Sequence, residues 1–322
     1  MFTENNIRWR KKLPKISLNL PASFYGEEVR NDYKISADMK KVWAVELDLF
    51  KQLDQICKKH NITYYADGGT LLGAIRHHGF IPWDDDMDFI MLRSDFEKLC
   101  KVSSEFKEPY FFQTEETDPG SLRCHAQLRN SETTGILNFE LSKKYPFNQG
   151  IFIDIFPLDG VPEDAKERSS FVKSLQKNKW KARDYYDYNH NFIPNIKVDN
   201  IYTLLKKGWY FTKKIKYKTL WFFYKENNPY YPAFKKSVVK YDDQNTKYVM
   251  DLALGLEDQV LYREDISTPV YLPFEMLKMP TPKNYNRILS VYYGDWHKMV
   301  KGENVHGGCV FDTEKPYTSY IN

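Results

Sequence analysis

Residues 82–91 read PWDDDMDFIM, with four carboxylates (Asp84, Asp85, Asp86 and Asp88) set directly ahead of an apolar run. Two unit charges about 4 Å apart repel by roughly 4 kcal/mol at an effective dielectric near 20, so such a cluster calls for a cation. Along a strand, residues two apart share a face and each residue rises about 3.3 Å, so Asp86 and Asp88 would present carboxylates about 6.6 Å apart at their Cα atoms. That pair can converge on a divalent ion. Further on, residues 150–160 read GIFIDIFPLDG, where Asp154 is a single acid among apolar neighbours. A charge isolated in a buried strand is costly unless it is paired or bound to metal. If the two strands are neighbours, Asp86, Asp88 and Asp154 meet, and a hard oxygen cluster of this kind suits Mg²⁺ or Mn²⁺ held against substrate phosphates.

Upstream, Gly68 and Gly69 let backbone N–H groups approach a phosphate, and a helix beginning at Thr70 would direct its positive end at it. Arg76 and His77 stand at the end of that helix, where the guanidinium can clamp a diphosphate or neutralise the acids. Trp83 can stack on a base or pack. Asp84 and Asp85 precede the strand and read as groups that fix the loop beside the substrate. Taken singly, a Gly-Gly pair is also an ordinary turn and an Asp-x-Asp an ordinary solvated loop. An EF-hand is excluded, because counting Asp84 as position 1 puts Phe89 where glycine belongs and Asp95 where glutamate belongs.

The elements that must position these residues follow from periodicity. Met39, Val42, Trp43, Leu49, Phe50, Leu53, Ile56 and Cys57 recur at helical spacing over residues 37–60, with Ser36 placed as the cap. Residues 62–66 read as a strand, 70–78 as a helix ending at Gly79, and 87–92 as a second strand, so the acids sit at its N-terminal end. Ser94 and Glu97 fit a capping box for the next helix. Residues 150–160 form a buried strand ended by Pro157, 163–245 are mainly helical, and 272–296 hold a proline-punctuated loop followed by a helix.

With 322 residues, 42% of them hydrophobic, the chain can build a real core. No stretch has the ~18 apolar residues of a membrane span, and the N-terminus lacks the apolar region of a signal peptide, so a cytoplasmic protein is expected. Cys57, Cys100, Cys124 and Cys309 show neither zinc nor disulfide spacing and read as buried thiols. The net charge of +4 hides an asymmetry: residues 171–240 hold 16 Lys plus Arg against 4 Asp plus Glu, interleaved with 18 aromatics. Such a segment is either a helical cap with solvated lysines or a peripheral contact with an anionic membrane. In the second reading Lys206, Lys207, Lys213, Lys214, Lys216 and Lys218 face the lipid, with Trp209, Trp221 and Phe222 at the interface. Nucleic acid is not indicated, for want of any recognition motif.

The order Gly-Gly, then DMDF, then IDI resembles the nucleotidyltransferase-fold superfamily, whereas sugar-nucleotide glycosyltransferases place their DxD after an apolar strand. More narrowly, GGTLLGAIRHHGFIPWDDDMDFIM, FIDIFPLDG and the late PFEMLKMPTPKNYNRILSVYYGDW together resemble the LicD family of phosphocholine and related phosphotransferases, distantly related to fukutin. Asp67 and His78 depart from that family's pattern, which bears on the donor's headgroup. The resemblance implies an α+β fold: a nucleotidyltransferase core with a mixed β-sheet and flanking helices, plus the helical basic and aromatic segment. Residues 1–163 would form the core with an N-terminal extension, 164–245 the helical insertion, and 246–322 a segment that completes the active site. It implies metal-dependent transfer of phosphocholine from CDP-choline, or of another CDP-alcohol's phospho-alcohol (ribitol, glycerol, ethanolamine), to a hydroxyl of a glycan or lipid-linked glycan acceptor such as teichoic acid, capsule or lipopolysaccharide. An inactive glycan-binding relative is the competing class, against which the three intact acids argue. Asp86, Asp88 and Asp154 would be the metal-binding catalytic residues, Asp86 and Asp88 holding Mg²⁺ against the donor diphosphate and Asp154 binding a second metal or accepting the acceptor hydroxyl's proton. Gly68, Gly69, Thr70, Arg76, His77, Trp83, Asp85 and His306 would contact substrate, while Glu275 and Asp295 match family positions or cap helices.

Overall fold

A hairpin of β1 (Glu28–Arg30) and β2 (Tyr33–Ile35) leads into the long helix α1 (Ala37–Lys59). The structure, a computed structural model, describes residues 13–190, 192, 197–301 and 308–321. Ser36 caps α1 by accepting the Met39 N–H at 3.1 Å, one of the donors that a helix start leaves unpaired. Val42, Trp43, Leu49, Phe50 and Leu53 are buried along its apolar face, as their spacing predicts.

Next come β3 (Tyr65–Ala66), α2 (Gly68–Arg76), β4 (Asp88–Leu92) and α3 (Arg93–Lys101). Of the strand expected over 62–66, only the last two residues pair, with Ile90 and Phe89 of β4. The capping box expected at Ser94 and Glu97 does not form: α3 starts at Arg93 with Leu92 at its cap and no side-chain capping bond. Arg93 explains the difference. Its guanidinium forks onto the buried Asp159 at 2.6 and 2.8 Å, and Glu97 lies 3.6 Å from the same guanidinium instead of reaching back to the helix start.

The chain continues through β5 (Tyr110–Gln113), β6 (Ala126–Asn130), β7 (Thr134–Leu137), the short α4 (Asn138–Leu141) and β8 (Ile151–Val161). Three helices follow, α5 (Ala165–Asn189), α6 (Ile201–Tyr224) and α7 (Tyr231–Val238). The remainder comprises β9 (Tyr248–Asp251), β10 (Leu261–Tyr262), β11 (Pro269–Phe274), β12 (Leu277–Pro282), α8 (Tyr285–Tyr293), β13 (Cys309–Asp312) and α9 (Thr318–Ile321).

Among the described residues, seven strands make one mixed sheet in the order β10, β9, β8, β4, β3, with β6 and then β5 pairing onto another stretch of β8. One edge of β8 runs parallel to β4. The other edge is antiparallel first to β6, through Ile155, and then to β9, from Leu158. Pro157 was expected to end this strand. It falls instead where β8 changes partner, so on that edge its missing N–H breaks no ladder bond. The prolines of residues 269–282 also leave a hairpin intact, with Pro269 opposite Pro282 and Tyr271 opposite Pro280, where a loop was expected. Each strand of a two-stranded ribbon has an outer edge on which proline is tolerated.

The main core joins α1, the sheet, the β11–β12 hairpin and α8 through residues such as Trp43, Phe50, Phe89, Ile155, Phe274 and Leu289. A second cluster, including Val161, Val172, Phe234 and Met250, fastens α5 and α7 to the end of the sheet, and Tyr185, Tyr188 and Tyr217 join α5 to α6. A mixed sheet flanked by helices, with a mainly helical stretch after it, is the expected fold class. All four cysteines are free, but only Cys57 is fully buried. No helix among the described residues is long and apolar enough to cross a membrane.

Candidate active site

Asp88 is the first residue of β4, and its register partner across the parallel ladder is Asp154 of β8. Register partners on neighbouring strands project to the same face, with strands about 4.8 Å apart, so the two carboxylates are neighbours by construction. Three bonds fix the start of β4. The Asp88 N–H donates to the Thr70 hydroxyl at 2.9 Å, the Asp67 N–H to the Asp88 carbonyl at 2.9 Å, and the Asp154 N–H to the Met87 carbonyl at 2.9 Å. Thr70, expected to touch substrate, is buried and spends its hydroxyl oxygen on Asp88.

Asp86 does not share the strand with Asp88. It lies in the preceding loop, where oxygen atoms of Asp84, Asp85 and Asp86 come within 4.8 Å of one another. Burial, then the charges of Asp86, Asp154, Asp67 and Asp84, hold the Asp88 carboxyl well above the usual carboxylate range. Sequence reasoning missed Glu46, which is 1% exposed on α1 and has an oxygen, Oε2, without a hydrogen-bond partner among the described residues. Burial and then Asp86, Asp85, Asp84 and Asp88 push its carboxyl far up as well. Trp43, one turn earlier, donates its indole N–H to the Asp84 carbonyl at 3.0 Å and so ties the acidic loop to α1. An acid standing between Val45 and Leu47 on a buried helix face was the available signal.

Asp154 is electrostatically different. His125 Nε2 approaches its Oδ1 at 2.9 Å, and the Gln127 amide donates to the same oxygen at 2.7 Å. Burial raises this carboxyl, but His125 and Gln127 outweigh it, leaving Asp154 below the usual range. Burial also lowers His125, against the raising effect of Asp154, and beside this carboxylate its Nε2 stands as the donor. Gln127 is oriented in turn: its carbonyl oxygen accepts from Arg129, whose Nε donates to Gln113 at 2.6 Å. His125, Gln127 and Arg129 were not anticipated. Their spacing of two leading into β6 was the readable sign of a polar strand face.

The glycine turn meets the acids directly. Gly68 has φ +49°, and α2 begins there rather than at Thr70. A Cβ on Gly68 would stand 3.4 Å from Asp88 Oδ2 and 3.9 Å from the Tyr293 hydroxyl, while the room for a Cβ on Gly69 is taken by the Asp84 carboxylate. The positive end of α2 therefore faces carboxylates. Asp67, the residue before, accepts a hydrogen bond from Tyr292 and is pushed up by burial to about 6. Burial and the same acids raise Tyr293, so α8 brings two tyrosines to the site.

The other expected residues lie further off or are engaged elsewhere. Arg76 Nη1 donates to the carbonyls of Trp296 and Lys298 at 3.2 and 3.5 Å, tying α2 to the segment after α8. His77 ends α2 and is lowered to about 4, by burial first and then by Arg76, Arg30 and His78. Trp83 meets Tyr33 edge to face at 5.9 Å against the core. Glu275 is no helix cap: it sits in the β11–β12 turn, chelates Arg30 at 2.5 and 3.0 Å and accepts the Phe80 N–H at 3.3 Å. Asp295 is exposed after α8. His306 lies outside the described residues.

The donor set is all oxygen, burial and neighbouring acids oppose the charge on Asp88, and one buried carboxylate oxygen of Glu46 has no partner among the described residues. Those features fit a hard divalent cation. Residues 61–195 match the family described as LicD/FKTN/FKRP, nucleotidyltransferase domain. The chain is 26% identical to the lipopolysaccharide cholinephosphotransferase LicD of Haemophilus influenzae, over 83% of this chain and 94% of that protein. It is also 38% identical to an uncharacterized protein of Rickettsia prowazekii, and 40% identical to one of Rickettsia typhi. Those two matches cover 26% and 24% of this chain, and 29% and 24% of the relatives.

Proposed function

We infer that the chain transfers phosphocholine from CDP-choline to a hydroxyl of a cell-surface glycan precursor, a reading supported by the match of residues 61–195 to the LicD/FKTN/FKRP nucleotidyltransferase domain. The domain and the likeness to a cholinephosphotransferase support phosphotransferase activity. The observation that carries the reading is the pairing of Asp88 with Asp154 beside the glycine start of α2. In the reaction the acceptor oxygen attacks the phosphorus bearing choline, the bond from that phosphorus to the CMP phosphate oxygen breaks, and CMP leaves as the hydroxyl proton is released.

Asp86, Asp88 and Asp154 would hold Mg²⁺ or Mn²⁺, with Asp85 and Glu46 close by. A bound cation of this kind neutralises diphosphate charge and aligns the displacement. Asp154, kept below its ordinary value, is a weak base and a good anionic ligand, so it suits holding a cation better than taking the hydroxyl proton. Gly68, Gly69 and the N–H groups they open would orient the donor phosphates. Lipopolysaccharide is the acceptor named for the Haemophilus relative; teichoic acid and capsule precursors offer the same hydroxyl chemistry. The enzyme would act in the cytoplasm, meeting a lipid-linked acceptor at the inner face of the membrane.

The test is CMP release from CDP-choline, CDP-ethanolamine, CDP-glycerol and CDP-ribitol, with Mg²⁺, with Mn²⁺ or with chelator. CDP-choline is expected to be the best donor and chelator to stop the reaction. Faster release from another donor would reassign the headgroup, and no CMP from any donor with either metal would sink the transfer reading.

A further inference from the structure

Helix α6 touches the rest of the chain through one side. Tyr217 is buried there, Trp221 lies 5.8 Å from Tyr185, and Tyr210 lies 6.2 Å from Tyr188. At 3.6 residues per turn, Ile201, Leu204, Leu205, Ile215, Phe222 and Phe223 fall within roughly 100° of arc on the opposite side. All six are more than half exposed, from 52% for Leu204 to 78% for Phe222. Gly208, Thr212 and Thr219 also lie inside this stripe; both threonine hydroxyls donate to carbonyls of their own helix, and no described residue stands within 4 Å of where the Gly208 Cβ would be. An apolar stripe of this length left outside is the reverse of what a water-facing helix shows, and it marks a surface that meets something apolar.

The charges say what that is. The helix carries six lysines and no acid. Lys207 borders one margin of the stripe and Lys216 the other, both exposed. Lys213 and Lys218, expected to face lipid, are turned back: Lys213 pairs with Asp184 at 2.6 Å and Lys218 donates to the Asn189 carbonyl at 3.0 Å. Trp221, also expected at the interface, packs on α5. Two copies of this face meeting each other would oppose lysine to lysine, whereas a bilayer offers acyl chains to the stripe and phosphates to its margins.

We propose that α6 docks the protein on an anionic lipid bilayer, seating the Leu205, Phe222 and Phe223 side of the helix at the acyl boundary and Lys207 and Lys216 among the headgroup phosphates. This deepens the transfer reading, resting on it for the use of the contact and on α6 alone for the contact itself.

The experiment is sedimentation of the full chain with vesicles of phosphatidylcholine, pure or with a third phosphatidylglycerol, at low and high salt and with no donor or acceptor present. Wild type is expected to bind the anionic vesicles at least about tenfold more tightly, and less so in high salt. Leu205→Ser with Phe222→Ser and Phe223→Ser should lose that binding at unchanged melting temperature, and Lys207→Gln with Lys216→Gln should lose its dependence on lipid charge. Asp88→Asn should sediment as wild type. Wild type that ignores both vesicles, a serine variant that binds normally, or a wild-type dimer that the serine variant dissociates would each overturn the proposal. CMP release without vesicle binding removes the docking alone, and vesicle binding without CMP release removes the transfer reading alone.

Discussion

Asp88 and Asp154 face each other as register partners on parallel strands, yet their electrostatic states are opposed. Burial and four neighbouring carboxylates push Asp88 up, whereas His125 and Gln127 draw Asp154 down. Asp88→Asn and Asp154→Asn should each cut transfer at least about a hundredfold, about 2.7 kcal/mol in barrier. Their melting temperatures should part. In chelator at pH 8, Asp88→Asn removes a disfavoured charge and melts higher than wild type, while Asp154→Asn removes a favoured one and melts lower. Parallel shifts would show that the two acids do not sit in the contrasting fields described.

In the absence of metal the acid cluster's contribution to stability should fall as pH rises, opposing the rise that His77 and His125 contribute. Asp67, near 6 in the folded chain against an ordinary 3.8, and Asp88 and Glu46, also raised well above their ordinary values, keep protons that the unfolded chain has already released. At these acids the folded state therefore binds more protons, and their contribution declines as pH rises from the ordinary carboxylate range through about 6 and beyond. Thermal melts in chelator should show that decline. Added Mg²⁺ or Mn²⁺ should raise the melting temperature more at pH 7.5 than at pH 5, because only ionised acids bind it. A flat profile, or equal stabilisation at both pH values, would count against a cation among these groups.

Gly69 gives a test of geometry. In most helices Gly→Ala stabilises by up to about 1 kcal/mol. Here the Asp84 carboxylate occupies the Cβ position, so Gly69→Ala should destabilise. Asp84→Ala in the same chain should recover much of the loss, a non-additivity read from a double-mutant cycle. Additive effects would mean that the two residues do not compete for that space.

What was legible in the sequence depended on distance along the chain. The helix over 37–59 and the acid at the head of β4 could be read because their signals are local: one face of apolar spacing, one carboxylate before an apolar run. Asp154 was found as an acid with no local partner. Its partners were not, because His125 and Gln127 come from a strand whose pairing with β8 no local spacing specifies. Glu46 was hidden by the period that located its helix. Pro157 and the prolines of the β11–β12 hairpin misled for one reason: proline marks a missing donor, and whether that donor is needed depends on which edge of the strand is paired.

Arg30 and Glu275 link the N-terminal hairpin to the β11–β12 turn beside the end of α2. Breaking one member of a buried pair costs roughly 3 to 5 kcal/mol, and partial exposure of Arg30 places Arg30→Met toward the lower end. Denaturant melts should register that loss. Mg²⁺ affinity of the folded variant should stay within about twofold of wild type, since the leading charges on Asp88 and Glu46 are aspartates and not this pair; a larger loss of affinity would give Glu275 a part in the site.

His125 holds Asp154 without standing in the acid cluster, so its replacement should act through that carboxylate. His125→Phe leaves Asp154 with the Gln127 amide alone and removes the donor that favours its anion. Partners that orient metal-binding carboxylates are worth about 10- to 100-fold in metal affinity, and a loss in that range is expected for Mg²⁺ or Mn²⁺ by calorimetry. His125→Gln presents a neutral donor and should recover much of it. The tilted ring contact of His125 with Phe156, centroids 4.5 Å apart, supplies the control, because phenylalanine keeps a ring there while removing the hydrogen bond. If His125→Phe lowers the melting temperature but binds cation as wild type does, the ring is packing for β8 and Asp154 needs no second donor.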